Sequence, residues 1–189
     1  QCMCEASLWM KWTHVGDAEA VEPSKLMSVT SDVLLAAVKK HRIIWEITSE
    51  YCTQFCSRMR SIRPPEKWPS DVFVPWEFSD LVMTMKPSHQ RIIGFDALEH
   101  LHCSRNPLWT NASAAQQLED EVRYGKSVVV LNRAGEVERV VYVTVVRIAY
   151  DGYVLAQLGK LENDKITSKC VLPATKQELN EMPSAAAKR

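Results

Sequence analysis

No stretch of this chain stays apolar for the ~20 residues that a membrane-spanning helix needs, because Arg, Lys, Glu or Asp interrupts every candidate run. Net charge is absent too. The 23 Lys and Arg residues balance 23 Asp and Glu, so no overall field draws the chain to nucleic acid or to an anionic membrane. Glycine-rich loops of the P-loop or Rossmann kind are missing, as are G-x-S-x-G and H-E-x-x-H, which leaves catalysis without a recognisable foothold. Asp80, Asp96 and Glu99 read as solvated charges on short helices rather than paired catalytic carboxylates. The chain therefore reads as a non-enzyme. Gln1 opens it with neither a charged n-region nor an apolar h-region, so no signal peptide is expected, and the opening reads as cut. No internal repeat is found.

What is present is the composition of a globular protein: 189 residues, 46% of them apolar. The six cysteines are irregularly spread, which favours thiols in a reducing compartment over a disulfide framework. Cys2-x-Cys4 and Cys52-x-x-x-Cys56 both fail the C-x-x-C spacing and read as core residues. His100-x-His102-Cys103 has metal-ligand residue types, but no complementary pair stands at zinc-finger spacing, and no metal site is assigned. Asn111-Ala112-Ser113 is a formal glycosylation sequon, which carries no weight without a secretory route.

Along the chain, residues 12–29 favour short strands punctuated by Gly16-Asp17 and Pro23-Ser24. Thr30-Ser31-Asp32 then offers N-cap oxygens for a helix, and Lys39 to Arg42 a basic last turn. A second helix is predicted from about Ile43 to Met59, with Ile44, Ile47, Tyr51, Phe55 and Met59 on one face, ended by Arg63-Pro64-Pro65. Residues 64–111 carry Pro64, Pro65, Pro69, Pro75, Pro87 and Pro107 interleaved with Trp68, Trp76 and Trp109. They read as an ordered connector with short helices over 78–83 and 95–101. Its tryptophans pin the connector to the chain itself or anchor a partner. Residues 112–189 are predicted to form a helix ended by Gly125, then a small antiparallel meander from Val128 to Leu172, then a terminal helix over 178–188 that Pro183 weakens. The fold class is α+β, divided into segments 1–63, 64–111 and 112–189.

The most specific motif lies at the start: Cys4-Glu5-Ala6-Ser7-Leu8, a spacer, and His14-Val15-Gly16-Asp17-Ala18-Glu19-Ala20, followed by the two helices, the second containing Tyr51-Cys52-x-x-Phe55. This order resembles the second half of a cyclic-nucleotide-binding domain, whose pattern is roughly Gly-Glu-x-x-Leu, a spacer, and Arg-x-Ala-x-Val-x-Ala. Tyr51-Cys52-x-x-Phe55 is similar to the Tyr-Ala-x-x-Phe of lid helices in the channel-type members. The resemblance covers residues 1–63. It implies the end of a β-roll followed by two helices, with a pocket formed by Glu5, Ala6, Leu8, His14, Val15, Gly16 and Asp17. It further implies the cytosolic tail of a cation channel, potassium channels included, on the cytoplasmic side of a membrane. The partners would be the membrane-embedded remainder of the same polypeptide and three identical subunits, with no nucleic acid.

The motif departs from the family at its charge. His14 stands where the family has Arg, and Asp17 adds a negative charge nearby. A guanidinium donates to two phosphate oxygens and is always charged, whereas an imidazole does neither near neutral pH. The expectation is a degenerate regulatory pocket, weak or silent toward cyclic AMP and cyclic GMP, with no cofactor. The competing reading is an independent protein-interaction module acting through an exposed strand edge of the C-terminal β-region.

Overall fold

A computed structural model describes residues 3–17, 19–103, 112–132, 134–162, 164–178 and 181–189, with the side chains of 112 and 162 excepted. Cys2, Ala18, Pro107, Trp109 and Asn111, all named above, lie outside the described residues. The protein is α+β, with helices through the first two thirds and antiparallel strand pairs in the last. Among the described residues no helix is long and apolar enough to cross a membrane.

The opening residues form a one-turn helix, α1 (Ala6–Trp9), and the strands expected over 12–29 do not form: the described residues of 10–30 contain no regular element. The physical reason is that a strand needs a hydrogen-bonded neighbour, and no described segment runs beside this one as a ladder. Helix α2 (Ser31–Val38) starts at the expected place, although Thr30 at its N-cap makes no side-chain capping bond. Its predicted basic last turn falls beyond the helix, where Lys39 instead sits 5.3 Å from the centre of the Trp45 ring.

Helix α3 (Arg42–Ser61) is the central support. Its predicted stripe is real at Ile47, Tyr51, Phe55 and Met59, all of which pack in the core, while Ile44 is half exposed. Phe55 has no exposed surface and meets the Trp76 indole edge-on, ring centres 5.3 Å apart. Trp76 thus pins the connector inward, whereas Trp68 is exposed. Ala6, Ile62 and Leu81 complete this cluster.

Helix α4 (Phe78–Val82) carries a capping box: the Glu77 side chain accepts from the third-residue amide, and Asp80 Oδ2 accepts from the Glu77 N–H at 2.9 Å. Helix α5 (Pro87–Cys103) is much longer than the short helix predicted over 95–101. Pro87 does not interrupt it, because a proline in the first helical turn removes only an amide that would be unpaired anyway. Gly94 at its middle lets α5 approach its neighbours closely: a methyl group there would lie 2.8 Å from Val122 Cγ1. Val122 belongs to α6 (Ala112–Arg123), which ends near the left-handed Gly125 as expected.

Strand β1 (Val128–Leu131) pairs antiparallel with β2 (Val137–Val140), and Val129 and Val130 are fully buried against α5 and its surroundings. The remaining strands are β3 (Val143–Val145), β4 (Ala149–Tyr150), β5 (Tyr153–Val154), β6 (Gln157–Glu162), β7 (Lys165–Val171) and β8 (Ala174–Lys176). β3 pairs with β8, closing a base from which the β4–β5 and β6–β7 hairpins extend. The terminal helix shrinks to α7 (Pro183–Ala186), with Pro183 at its start rather than inside it. Three apolar clusters, around Phe55, Val130 and Val129, draw residues from all three segments named in the sequence analysis.

Candidate functional site

Asp71 organises the opening motif. It lies in a tight turn of the connector, where the Ser70 N–H donates to Phe73 O at 2.8 Å. Its carbonyl accepts from the Cys4 N–H at 2.6 Å. Its side chain is 14% exposed and holds the other end of the segment: Oδ1 accepts from Trp12 Nε1–H at 2.6 Å, and Oδ2 accepts from the Val15 N–H at 2.9 Å. His14 Nδ1 lies 3.2 Å from Oδ1, a hydrogen bond in the tautomer that protonates Nδ1. The Trp12 bond first, then those from His14 and Val15, holds the Asp71 carboxyl below the usual aspartate range, against the opposing effect of burial.

Glu5 is held separately. Its Oε1 accepts from Tyr51 O–H on α3 at 2.5 Å and, at the longer distance of 3.4 Å, from Trp9 Nε1–H. Ala6 is 4% exposed and belongs to the Phe55 cluster, so its small size serves packing. Leu8 is half-buried, while His14, Val15, Gly16 and Asp17 are exposed. Gly16 has φ +90° with open space around it, which is the turn role its sequence suggests. The Cys52 and Cys56 thiols, half-buried on α3, both donate to Trp9 O at 3.7 Å and help seat α1.

The predicted pocket residues are therefore brought to two different supports, Glu5 to α3 and His14-Val15 to the connector. Asp71 was not among them, and no local signal could have named it: it is 57 positions from His14, and a Pro-Ser-Asp turn is common. Its carboxylate takes up the Val15 N–H, the Trp12 N–H and Nδ1 of His14. An incoming phosphate would meet a negative charge there instead of donors, and burying like charges together is unfavourable by several kcal/mol or more. The same arrangement offers donors to a cation. One ligand atom each from Cys4, His14 and Asp71 lie within 4.8 Å of one another. His100, His102 and Cys103, exposed in the last turn of α5, form no such group among the described residues.

A second titratable pair is structural. Glu50 on α3 accepts from the Lys86 N–H at 2.8 Å and contacts His89 Nδ1 through its other oxygen. It ties the first turn of α5 to α3, with both side chains largely buried.

Compared with models of known families, with curated proteins and with solved structures, the chain finds no match.

Proposed function

We propose that this chain is a regulatory segment of the cation-channel tail type, in which a cyclic-nucleotide-binding motif is closed on the protein's own carboxylate. The observation that carries the reading is the Asp71 clasp on Trp12, His14 and Val15, at the place where the motif would bring a cyclic phosphate. Glu5, the ribose-binding position by resemblance, is likewise engaged by Tyr51 and Trp9. In such a segment the helices behind the motif respond to partner contacts rather than to nucleotide. By the same resemblance the segment would work on the cytoplasmic side of a membrane, joined to a membrane-embedded remainder and assembled as a tetramer.

The test is calorimetric titration of cyclic AMP and cyclic GMP into the 189-residue chain. The expected affinity is weaker than about 1 mM, a binding free energy smaller in magnitude than about 4 kcal/mol. Micromolar affinity for either nucleotide would overturn the reading.

A second reading, a protein-interaction module, is favoured by one observation. The β6–β7 hairpin leaves Leu158, Leu161 and Ile166 at least two-thirds exposed and has no third strand beside it among the described residues.

A further inference from the structure

The geometry points to a zinc site formed by the Cys4 thiolate, the His14 imidazole and the Asp71 carboxylate. Thiolate, imidazole and carboxylate are the three ligand classes that zinc takes in proteins, with bonds of about 2.0–2.3 Å. Tetrahedral placement at those lengths separates the donor atoms by roughly 3.3–3.6 Å. His14 Nδ1 and Asp71 Oδ1 already stand 3.2 Å apart, and all three ligand atoms lie within 4.8 Å of one another. Closing the remaining distance takes a rotation of the Cys4 or His14 side chain, and the His14 side chain is 70% exposed.

The surroundings fit a ligand set rather than a chance cluster. The Cys4 N–H bond to Asp71 O and the Val15 N–H bond to Asp71 Oδ2 close the two chain segments on each other, so the three ligands share one backbone frame. Trp12 Nε1–H on Oδ1 and the Val15 N–H on Oδ2 fix the carboxylate, as hydrogen-bond partners of metal-binding carboxylates commonly do. Oδ1 keeps its lone pair toward His14, and the metal takes the place of the proton shared there. Ionised thiolate and carboxylate supply two negative charges, which a divalent zinc neutralises. Sulfur and nitrogen donors disfavour calcium and magnesium, which take oxygen ligands. Three protein ligands leave a fourth position open to solvent on the His14 side.

This inference uses the Asp71 clasp but does not rest on the regulatory reading: micromolar nucleotide binding would overturn that reading and leave a metal titration unaffected. The test strips the full chain with EDTA and titrates zinc in competition with a chromophoric chelator. One zinc per chain is expected. Loss of an outer-shell partner commonly weakens a metal site about 10–100-fold, so Cys4→Ser and His14→Ala, each removing a direct ligand, should weaken it at least ~100-fold. Neither residue is in the buried core, so unchanged circular dichroism confirms that the variants remain folded. Cys103→Ser/Cys170→Ser and His100→Ala/His102→Ala should bind zinc like the parent, which separates the site from exposed thiols and imidazoles. Substituted cobalt should give tetrahedral ligand-field bands and a sulfur-to-metal charge-transfer band that Cys4→Ser abolishes. No stoichiometric zinc, affinity unmoved by Cys4→Ser or His14→Ala, or a cobalt spectrum without the sulfur band would each overturn the assignment.

Discussion

A methyl group added at Gly94 should report directly on how closely α5 packs against α6. Its carbon would stand 2.8 Å from Val122 Cγ1, where ordinary carbon contacts are about 3.5–4.0 Å, an overlap of roughly 1 Å. Val122 is 1% exposed and, being β-branched, has little rotamer freedom with which to yield. Overpacking of this kind destabilises by about 1–3 kcal/mol, while alanine in place of glycine in a helix returns about 0.8–1.0 kcal/mol. Gly94→Ala should therefore destabilise by about 1 kcal/mol. Val122→Ala removes two buried methyl groups and leaves a cavity, an expected loss of about 2–3 kcal/mol. In the double variant the new methyl occupies the space that Cγ1 vacates, so the clash vanishes and the cavity is partly filled. The combined loss should fall short of the sum by at least ~1 kcal/mol, well outside the 0.3–0.5 kcal/mol scatter about additivity. Urea denaturation followed by circular dichroism measures all four corners of the cycle. Additive losses, or a Gly94→Ala variant stabilised by the full helix-propensity gain, would refute the close approach.

Two further outcomes follow from the polar contacts. Asp71→Ala should accelerate amide hydrogen exchange at Val15 and shift Trp12 emission toward that of solvated indole, with core amides unaffected; unchanged exchange at Val15 would mean that the clasp does not hold in solution. Arg139, which donates to Glu121 through two nitrogens at 2.6 and 2.8 Å, holds the Glu121 carboxyl below the usual glutamate range. A carboxyl depressed in the folded state contributes stability above the unfolded value, about 4.3, and loses it as pH falls through the folded value. The denaturation midpoint of Glu121→Gln should then fall less steeply than the parent's on acidification below pH ~4.3. Equal slopes would show that the pair is screened away, as exposed ion pairs often are.

Legibility differed by element for physical reasons. The Ile47, Tyr51, Phe55, Met59 stripe placed α3 within two residues of its ends, because a long amphipathic period reflects burial of one face. Pro87 hid the length of α5, since proline reads as a breaker unless its position in the first turn is known. The strands expected over 12–29 had β-favouring residues but no partner, and strand formation is a property of the pair. In the last third the antiparallel character was plain from β-branched runs and Asp151-Gly152. The pairing of β3 with β8, across two hairpins, was not.

At the opening motif the division is sharpest. Residue order alone determined that a glutamate stands at position 5 and a histidine, not an arginine, at position 14, because charge and hydrogen-bonding capacity belong to side-chain identity. Which groups those side chains meet was decided by the tertiary structure. Packing Trp76 against Phe55 draws the connector over α3, and the turn it carries brings Asp71 to Cys4, Trp12, His14 and Val15. Contacts between residues 56 to 67 positions apart leave no local pattern, since they arise only when distant apolar surfaces leave water together.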